Sequence, residues 1–340
     1  MKVIKASSVH DAYRAGLTLF DKINSSEWTL LETRNGPARV MNDPVTTEYR
    51  FPMNRVLLDK VRDANPFFHL FESLWILAGR RDVAFLKAFN KKIADYADNP
   101  EFFHGAYGYR LCENSARGED QITTAIQMLK KNKYDRRIML QIWNSEQDLG
   151  QDSKDIPCND MIKLRVSNYG LDIIVFNRSN DMIWGAYGAN VVQFSMLQEY
   201  IAAAAELPVG RYYQISSDFH VYEDVYTKLL QKYDDANSSP MKEFLESKFG
   251  SVQTKRIEDD PVEQFDVDLY NMFDSFDVGG VEEILKTEFV TSYFNTVVRP
   301  MMVMWNDYKQ HRIFIDRPTN IDWLVAGRIW VENRLAKGNA

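Results

Sequence analysis

The stretch MIKLRVSNYGLDIIVFNRS, residues 161–179, constrains the fold more than any other part of the chain. Ile162, Leu164 and Val166 alternate with Lys163, Arg165 and Ser167, the period of a strand with one buried face. Asn168–Gly170 supply a turn, and a second apolar run follows, so the pattern predicts a β-hairpin. Soon afterwards comes VVQFSMLQEYIAAAAELPVG, residues 191–210, which is nearly apolar. It predicts a long helix buried on most sides and stopped by Pro208 and Gly210. A hairpin followed by a buried helix asks for a layered α/β structure.

The flanking segments agree. SVHDAYRAGLTLFDKIN (8–24) has helical spacing behind a serine cap, and RNGPARVMNDPVTTEYRF (34–51) reads as strand, turn, strand. NPFFHLFESLWILAG (65–79) is a helix that Asn65 can cap, with Pro66 in its first turn and Gly79 at its end. DQITTAIQMLKKNKY (120–134) is another helix, and RRIMLQIWN (136–144) reads as a buried strand. After about Tyr226 the character changes: KYDDANSSPMKEF is loop-like, charged helices follow, and FVTSYFNTVVRPMMVMWNDY is a helix interrupted at Pro300. This is either a second small domain or a helical extension of the first, and the expected division is residues 1–230 as the principal domain and 231–340 as a helical extension packed on it.

Bulk properties exclude several classes. The chain has 340 residues, long for one core but within reach of one enlarged domain. A formal net charge of −7 argues against a nucleic-acid partner, although local arginines can still bind a phosphate. Two cysteines, Cys112 and Cys158, are too few for a disulfide framework or a cysteine-rich zinc site. The N-terminal residues lack the apolar core of a signal peptide, and no run approaches a membrane span. The expectation is a cytoplasmic protein with no metal and no membrane partner.

A few residues stand out against this background. On the helix at 65–79, Phe68, Phe71, Glu72 and Trp75 share one face. A carboxylate there either turns to the rim or is a general acid/base with a raised pKa. Arg136 and Arg137 open a strand, while Arg178 and Ser179 end another; guanidinium groups and a hydroxyl at strand ends suit a phosphate. Cys158, in DIPCNDM, follows a proline and precedes the hairpin, so it sits at a strand edge. A cysteine is more often an inert buried residue, but an arginine such as Arg178 nearby would lower its pKa and supply thiolate. His220 and Tyr222, two apart on a strand, either fill core or grip a sugar hydroxyl. Asn190 either caps the long helix or reads the edge of a base with its donor and acceptor.

Taken in order, RNG (34–36), ESLWILAG (72–79), YG (107–108), RRIMLQIWN (136–144), PC (157–158), RSND (178–181), WGAYGAN (184–190) and DFHVY (218–222) resemble the thymidylate synthase superfamily, which includes phage deoxypyrimidine hydroxymethylases. The likeness runs from about Arg34 to about Tyr226. It implies a mixed or antiparallel sheet flanked by helices, residues 1–230 as the catalytic domain, and a homodimer formed through the sheet. It also implies roles. Cys158 would add to C6 of the pyrimidine. Arg34, Arg178 and Ser179 would hold the nucleotide phosphate, with Arg136 and Arg137 reaching the partner's site. Asn190 would read the base, and His220 with Tyr222 the deoxyribose 3′-hydroxyl. Glu72, Tyr107 and Asn177 would serve the chemistry, and Asp181, Gly185 and Trp75 the folate.

The chemistry explains these residue types. Thiolate addition at C6 makes C5 nucleophilic enough to take a one-carbon unit from 5,10-methylenetetrahydrofolate, the implied cosubstrate. The methylene left on C5 then accepts hydride, giving a methyl group, or water, giving a hydroxymethyl group. This chain departs from the synthase pattern at Asn159 (usually histidine) and Asn177 (usually glutamine), carries one extra residue between Gly185 and Asn190, and ends in WVENRLAKGNA rather than a short apolar tail. A synthase must keep water off the methylene. The expectation is therefore dUMP hydroxymethylase, with thymidylate synthase proper and then dCMP hydroxymethylase as alternatives. An amide at Asn190 goes with uracil, a carboxylate there with cytosine. A cysteine hydrolase built on Cys158 and His220 is the rival enzyme class, and a non-catalytic nucleotide-binding relative is the other rival.

Overall fold

A computed structural model of the chain describes residues 1–112, 120–246, 252–312, 320–336 and 338. An eight-stranded mixed sheet forms its centre. The strands are β1 (Lys2–Ala6), β2 (Trp28–Thr33), β3 (Gly36–Met41), β4 (Val45–Tyr49), β5 (Met139–Gln141), β6 (Asn159–Ser167), β7 (Gly170–Asp181) and β8 (Val209–Tyr222). They lie in the order β1-β4-β8-β7-β6-β5, and the β2-β3 hairpin joins the far end of β8.

The expected hairpin is β6-β7, antiparallel, with Ile162 opposite Val175 and Ser167 opposite Gly170. β7 and β8 run parallel. Parallel neighbours need a crossover, and the nearly apolar stretch supplies it as helix α7, below. β8 pairs β4 along Tyr212–Ser216 and β3 along His220–Tyr222. RRIMLQIWN contributes a shorter strand than its apolar run suggests. Only Met139–Gln141 join the ladder, because a bulge at Asp160 turns its carbonyl onto the N–H groups of both Ile142 and Trp143 (2.9 Å each).

The helices are α1 (Val9–Leu19), α2 (Pro66–Leu77), α3 (Val83–Phe89), α4 (Tyr107–Cys112), α5 (Gln121–Lys131), α6 (Ser145–Asp148), α7 (Asn190–Ala204), α8 (Glu223–Asp235), α9 (Pro240–Glu246), α10 (Val262–Ile284), α11 (Arg299–Lys309) and α12 (Asp322–Ala336). The caps are those the sequence offers. Ser8 accepts from Asp11 N–H, Asn65 from Phe68 N–H, and Asp120 from the N–H groups of Ile122 and Thr123. At Pro300 the helix does not break. A π-helical turn, Phe294–Val298, runs directly into α11, and Pro300 falls in the first turn, where its missing N–H costs little. Among the described residues no helix is long and apolar enough to cross a membrane.

Helices from the last third of the chain cover α2, α3 and α7 on the side away from the sheet. Phe67 of α2 meets Trp305 and Trp330 with ring centroids 5.3 and 5.5 Å apart, and Phe85 of α3 meets Phe273 at 4.7 Å. The side chains involved belong to the same apolar core as the sheet. Up to Ala336 the C-terminal segment is α12; residues 337, 339 and 340 of WVENRLAKGNA lie outside the described residues. Glu199 of α7 is fully buried, paired with Arg55 and accepting from Ile257 N–H (2.7 Å). Replacing Glu199 with Ala strands that guanidinium and that amide. Urea unfolding is expected to show a loss of about 3–5 kcal/mol with an unchanged slope. A loss below about 1 kcal/mol would mean that water or another group takes the carboxylate's place.

Candidate active site

Cys158 lies just before β6, and its carbonyl accepts the Arg178 N–H (3.0 Å) from the neighbouring strand. The Arg178 side chain turns back on the same loop. Its Nε donates to Pro157 O (2.8 Å), its Nη2 to Ile156 O (2.9 Å), and Nη2 stands 3.8 Å from Cys158 Sγ. Arg34, in the β2-β3 turn, reaches the loop from the other side, donating to Ser153 O (3.1 Å) and Lys154 O (3.3 Å). Two guanidinium groups therefore hang on the segment that carries the thiol. They do not set its pKa as the sequence leads one to expect. Burial raises the Cys158 pKa above its ordinary value; Arg178 and Arg34 pull it down, Asp160 and Asp155 push it up, and burial wins. In the free chain the thiol is protonated at neutral pH.

Four side chains sit behind the thiol. Tyr107 opens α4, which approaches α2 so closely that a Cβ on Gly108 would lie 2.2 Å from Ile76 O. Its ring stacks on Phe194 (6.0 Å), and burial, then the proximity of Cys158, raise its pKa well above normal. Asn159 and Asn177 are directly opposed in the β6-β7 register and bonded amide to amide. Both are buried, and among the described residues Asn159 Nδ2 and Asn177 Oδ1 have no further partner. Glu72 has not turned to the rim. It is buried on the face of α2 that meets α7, and burial raises its pKa to about 7 against a hydrogen bond from Gln193.

The parallel ends of β7 and β8 complete the arrangement. Ser179, Asn180 and Asp181 stand beside Asp218, Phe219 and His220. His220 Nδ1 meets Asp218 O (3.1 Å), its ring stands edge-on to Tyr222 (5.3 Å), and the Tyr222 hydroxyl accepts from Asn35 Nδ2 (3.2 Å). Asp181 caps the segment leading to α7 by accepting from Trp184 N–H. That segment, Met182–Ala189, is π-helical, and Asn190 N–H bonds back to Gly185 O, five residues earlier. A π-turn holds one residue more than an α-turn, so the extra residue between Gly185 and Asn190 is absorbed there. Asn190 Nδ2 then donates to Asn180 Oδ1 (3.1 Å), and Asn180 Nδ2 to Ser216 Oγ (2.9 Å). A Cβ on Gly185 would lie 2.7 Å from Asn180 Oδ1, so glycine is what permits this close pairing of amides.

Some expected site residues stand apart in the single chain. Arg136 and Arg137 are exposed, and Arg137 pairs with Asp135 (2.6 Å). Trp75 is buried, edge-on to Phe103, with its indole N–H donated to Asp82 (3.1 Å). Conversely, Asn180, Gln193, Arg62 and Trp184 belong here and were not singled out from sequence. Arg62 donates to Ile183 O (2.7 Å) and lies 4.9 Å over the exposed Trp184 ring. Gln193 had a signal: it is polar and three residues after Asn190, on the same face of the helix.

Comparison with known proteins is consistent with this geometry. The family model described as thymidylate synthase matches residues 33–278. A deoxyuridylate hydroxymethyltransferase of Pseudomonas phage M6 is 37% identical over 99% of this chain and 95% of its own length. One of Bacillus phage SP01 is 40% identical over 54% of this chain and 50% of its own. A thymidylate synthase of Francisella tularensis subsp. holarctica (strain LVS) is 29% identical over 45% of this chain and 60% of its own. The chain belongs to the thymidylate synthase family and is a transferase enzyme.

Proposed function

We propose that this enzyme transfers a one-carbon unit from 5,10-methylenetetrahydrofolate to C5 of dUMP through a bond between Cys158 and C6, and that water completes the reaction to give 5-hydroxymethyl-dUMP. The observation that carries the reading is the Cys158 thiol 3.8 Å from Arg178, with a buried carboxyl and an oriented amide on the neighbouring helices. Arg178, Arg34 and Ser179 take the phosphate. Arg136 and Arg137, exposed here, cross to the site of a second copy in a homodimer formed through the sheet. His220 and Tyr222 hold the sugar. The choice of base follows from Asn190. Its Nδ2 is committed to Asn180, so its Oδ1 is left to accept. Uracil offers N3–H to such an acceptor; cytosine offers a lone pair there and is repelled.

The folate supplies the transferred carbon when bound. The residues fit it: Asp181 Oδ2 is a buried acceptor with no partner among the described residues, suited to a pterin N–H, beside the exposed face of Trp184. Gly185 completes that side, whereas Trp75, buried against Phe103 with its N–H on Asp82, takes no part in it. Cys158 loses its proton as it bonds to C6, which makes C5 nucleophilic; Glu72 and Tyr107 handle the protons that follow, and Asn177 offers hydrogen bonds beside them. Residues 1–230 carry this chemistry, residues 231–340 brace it, and the reaction belongs to free nucleotides in the cytoplasm. The phage hydroxymethyltransferase that matches almost end to end supports water as the final acceptor.

Three outcomes are expected. Incubation with methylenetetrahydrofolate and dUMP yields 5-hydroxymethyl-dUMP by mass; a rise in dihydrofolate absorbance with dTMP would overturn the water step. Cys158→Ala loses turnover to background while still binding dUMP, and survival of near-native activity would remove the covalent route. Asn190→Asp moves the dCMP/dUMP ratio of kcat/KM upward by about tenfold or more; an unchanged ratio would assign base reading elsewhere. The pH profile is a further check. Glu72 accepts a proton only when ionised, so product formation falls as pH drops through about 7. Glu72→Gln removes that limb, and a limb that persists in this variant belongs to another group.

A further inference from the structure

Glu72 on α2 and Gln193 on α7 face one another across the helix contact. Gln193 is 5% exposed and Glu72 9%, and the two side chains are near enough for the Gln193 amide to pull the Glu72 pKa down against burial. Glu72 Oε2 and Gln193 Oε1 are both buried, and neither has a partner among the described residues. Two acceptors cannot satisfy each other, and an unmet buried acceptor is costly. A molecule with two donor hydrogens satisfies both, and water is the one such molecule the proposed reaction consumes.

We propose that Gln193 is a positioning residue that, with Glu72, holds the attacking water by both of its O–H bonds and so directs the reaction to the hydroxymethyl product. The inference rests on the hydroxymethylase reading above. A water whose two hydrogens are engaged keeps its lone pairs for the methylene carbon. As the oxygen–carbon bond forms, one water proton passes to Glu72. The electron pair of the exocyclic double bond moves to C5 and then into the C5–C6 bond, and Cys158 leaves C6 as thiolate. No oxidant or reductant enters. Asn190, one turn earlier on α7, places the ring, so one helix orients both the base and its nucleophile.

The test separates early from late steps. Tritium release from [5-³H]dUMP reports covalent addition and C5 proton removal; 5-hydroxymethyl-dUMP reports water attack. The exocyclic methylene is also open to thiols, so 2-mercaptoethanol in the assay traps it as a thioether. Gln193→Met keeps the bulk of the side chain and deletes its acceptor. We expect tritium release within about threefold of the native enzyme, hydroxymethyl product down by about tenfold or more, and thioether or dTMP in its place. Gln193→Glu restores an acceptor and is expected to restore the hydroxymethyl share of product. It also keeps the test informative if Gln193→Met folds poorly. Parallel loss of both readouts in folded Gln193→Met, or an unchanged product share in either readout of that variant, overturns the inference. So does a Gln193→Glu variant that folds but fails to restore the share. If the native enzyme itself makes only dTMP, the hydroxymethylase reading fails first and this inference falls with it; if it makes 5-hydroxymethyl-dUMP and Gln193→Met does too, only the role of Gln193 falls.

Discussion

The parallel pairing of β7 with β8 is the constraint on which the site depends. Because the two strands run the same way, their C-terminal ends fall side by side, and Ser179–Asp181 stand next to Asp218–His220. The crossover that parallel pairing demands is α7, so the N-terminus of that helix, with Asn190, arrives at the same edge. The antiparallel partner β6 brings its N-terminal end there too, and with it Asn159 and the thiol of Cys158. Residues distant in sequence are thus gathered by register alone. The loop arginines then attach to what register has placed: Arg178 binds the carbonyls of Ile156 and Pro157, and Arg34 those of Ser153 and Lys154.

The same edge concentrates polar atoms that folding leaves unmet. Glu72 Oε2, Gln193 Oε1, Asn159 Nδ2, Asn177 Oδ1 and Asp181 Oδ2 are all buried and unpartnered among the described residues. In a core each would cost on the order of 1–3 kcal/mol. On the function proposed above, their partners are reactants. The raised pKa values of Glu72, Tyr107 and Cys158 have the same origin, since burial is the largest cause for each. The balance at the Cys158 thiol follows from this. Arg178 is close enough to favour the thiolate, yet desolvation outweighs it.

What was legible in sequence had a local cause. The hairpin, the capped helices and the buried crossover follow from period, turn residues and side-chain oxygens within a few positions, and each forms where those signals lie. The burial of Glu72 was readable from the company it keeps on α2. The failures are of other kinds. The shortening of β5 results from a bulge at Asp160 on a different strand, and no signal within RRIMLQIWN reports it. Continuity through Pro300 depends on a π-turn that lets the helix accommodate a residue without an N–H. Asn180 and Gln193 escaped because their meaning lies in side chains they meet across elements, Asn190 and Ser216 in one case, Glu72 in the other. The thiol's charge state escaped because an arginine in the sequence announces itself, whereas the depth of burial around it does not.

The helices beyond residue 252 bear on the chemistry through the spacing of α2 and α7. Phe67, one turn before Phe71 and Glu72 on α2, is held from behind by Trp305 and Trp330; Glu199, later on α7, is held by Arg55 and by Ile257 N–H. These contacts fix α2 and α7, the helices that carry Glu72 and Gln193, against the C-terminal segment. A hydrogen bond between buried groups weakens steeply with misplacement, so the distance between α2 and α7 has to be kept within a few tenths of an ångström for the pair to act together. An apolar aromatic cluster packed at crystal-like density does that better than the pair could alone. On the function proposed above, the C-terminal segment braces the site without touching a reactant. That fits the likeness to the Pseudomonas phage M6 protein, which extends over 99% of the chain rather than stopping where the sheet ends.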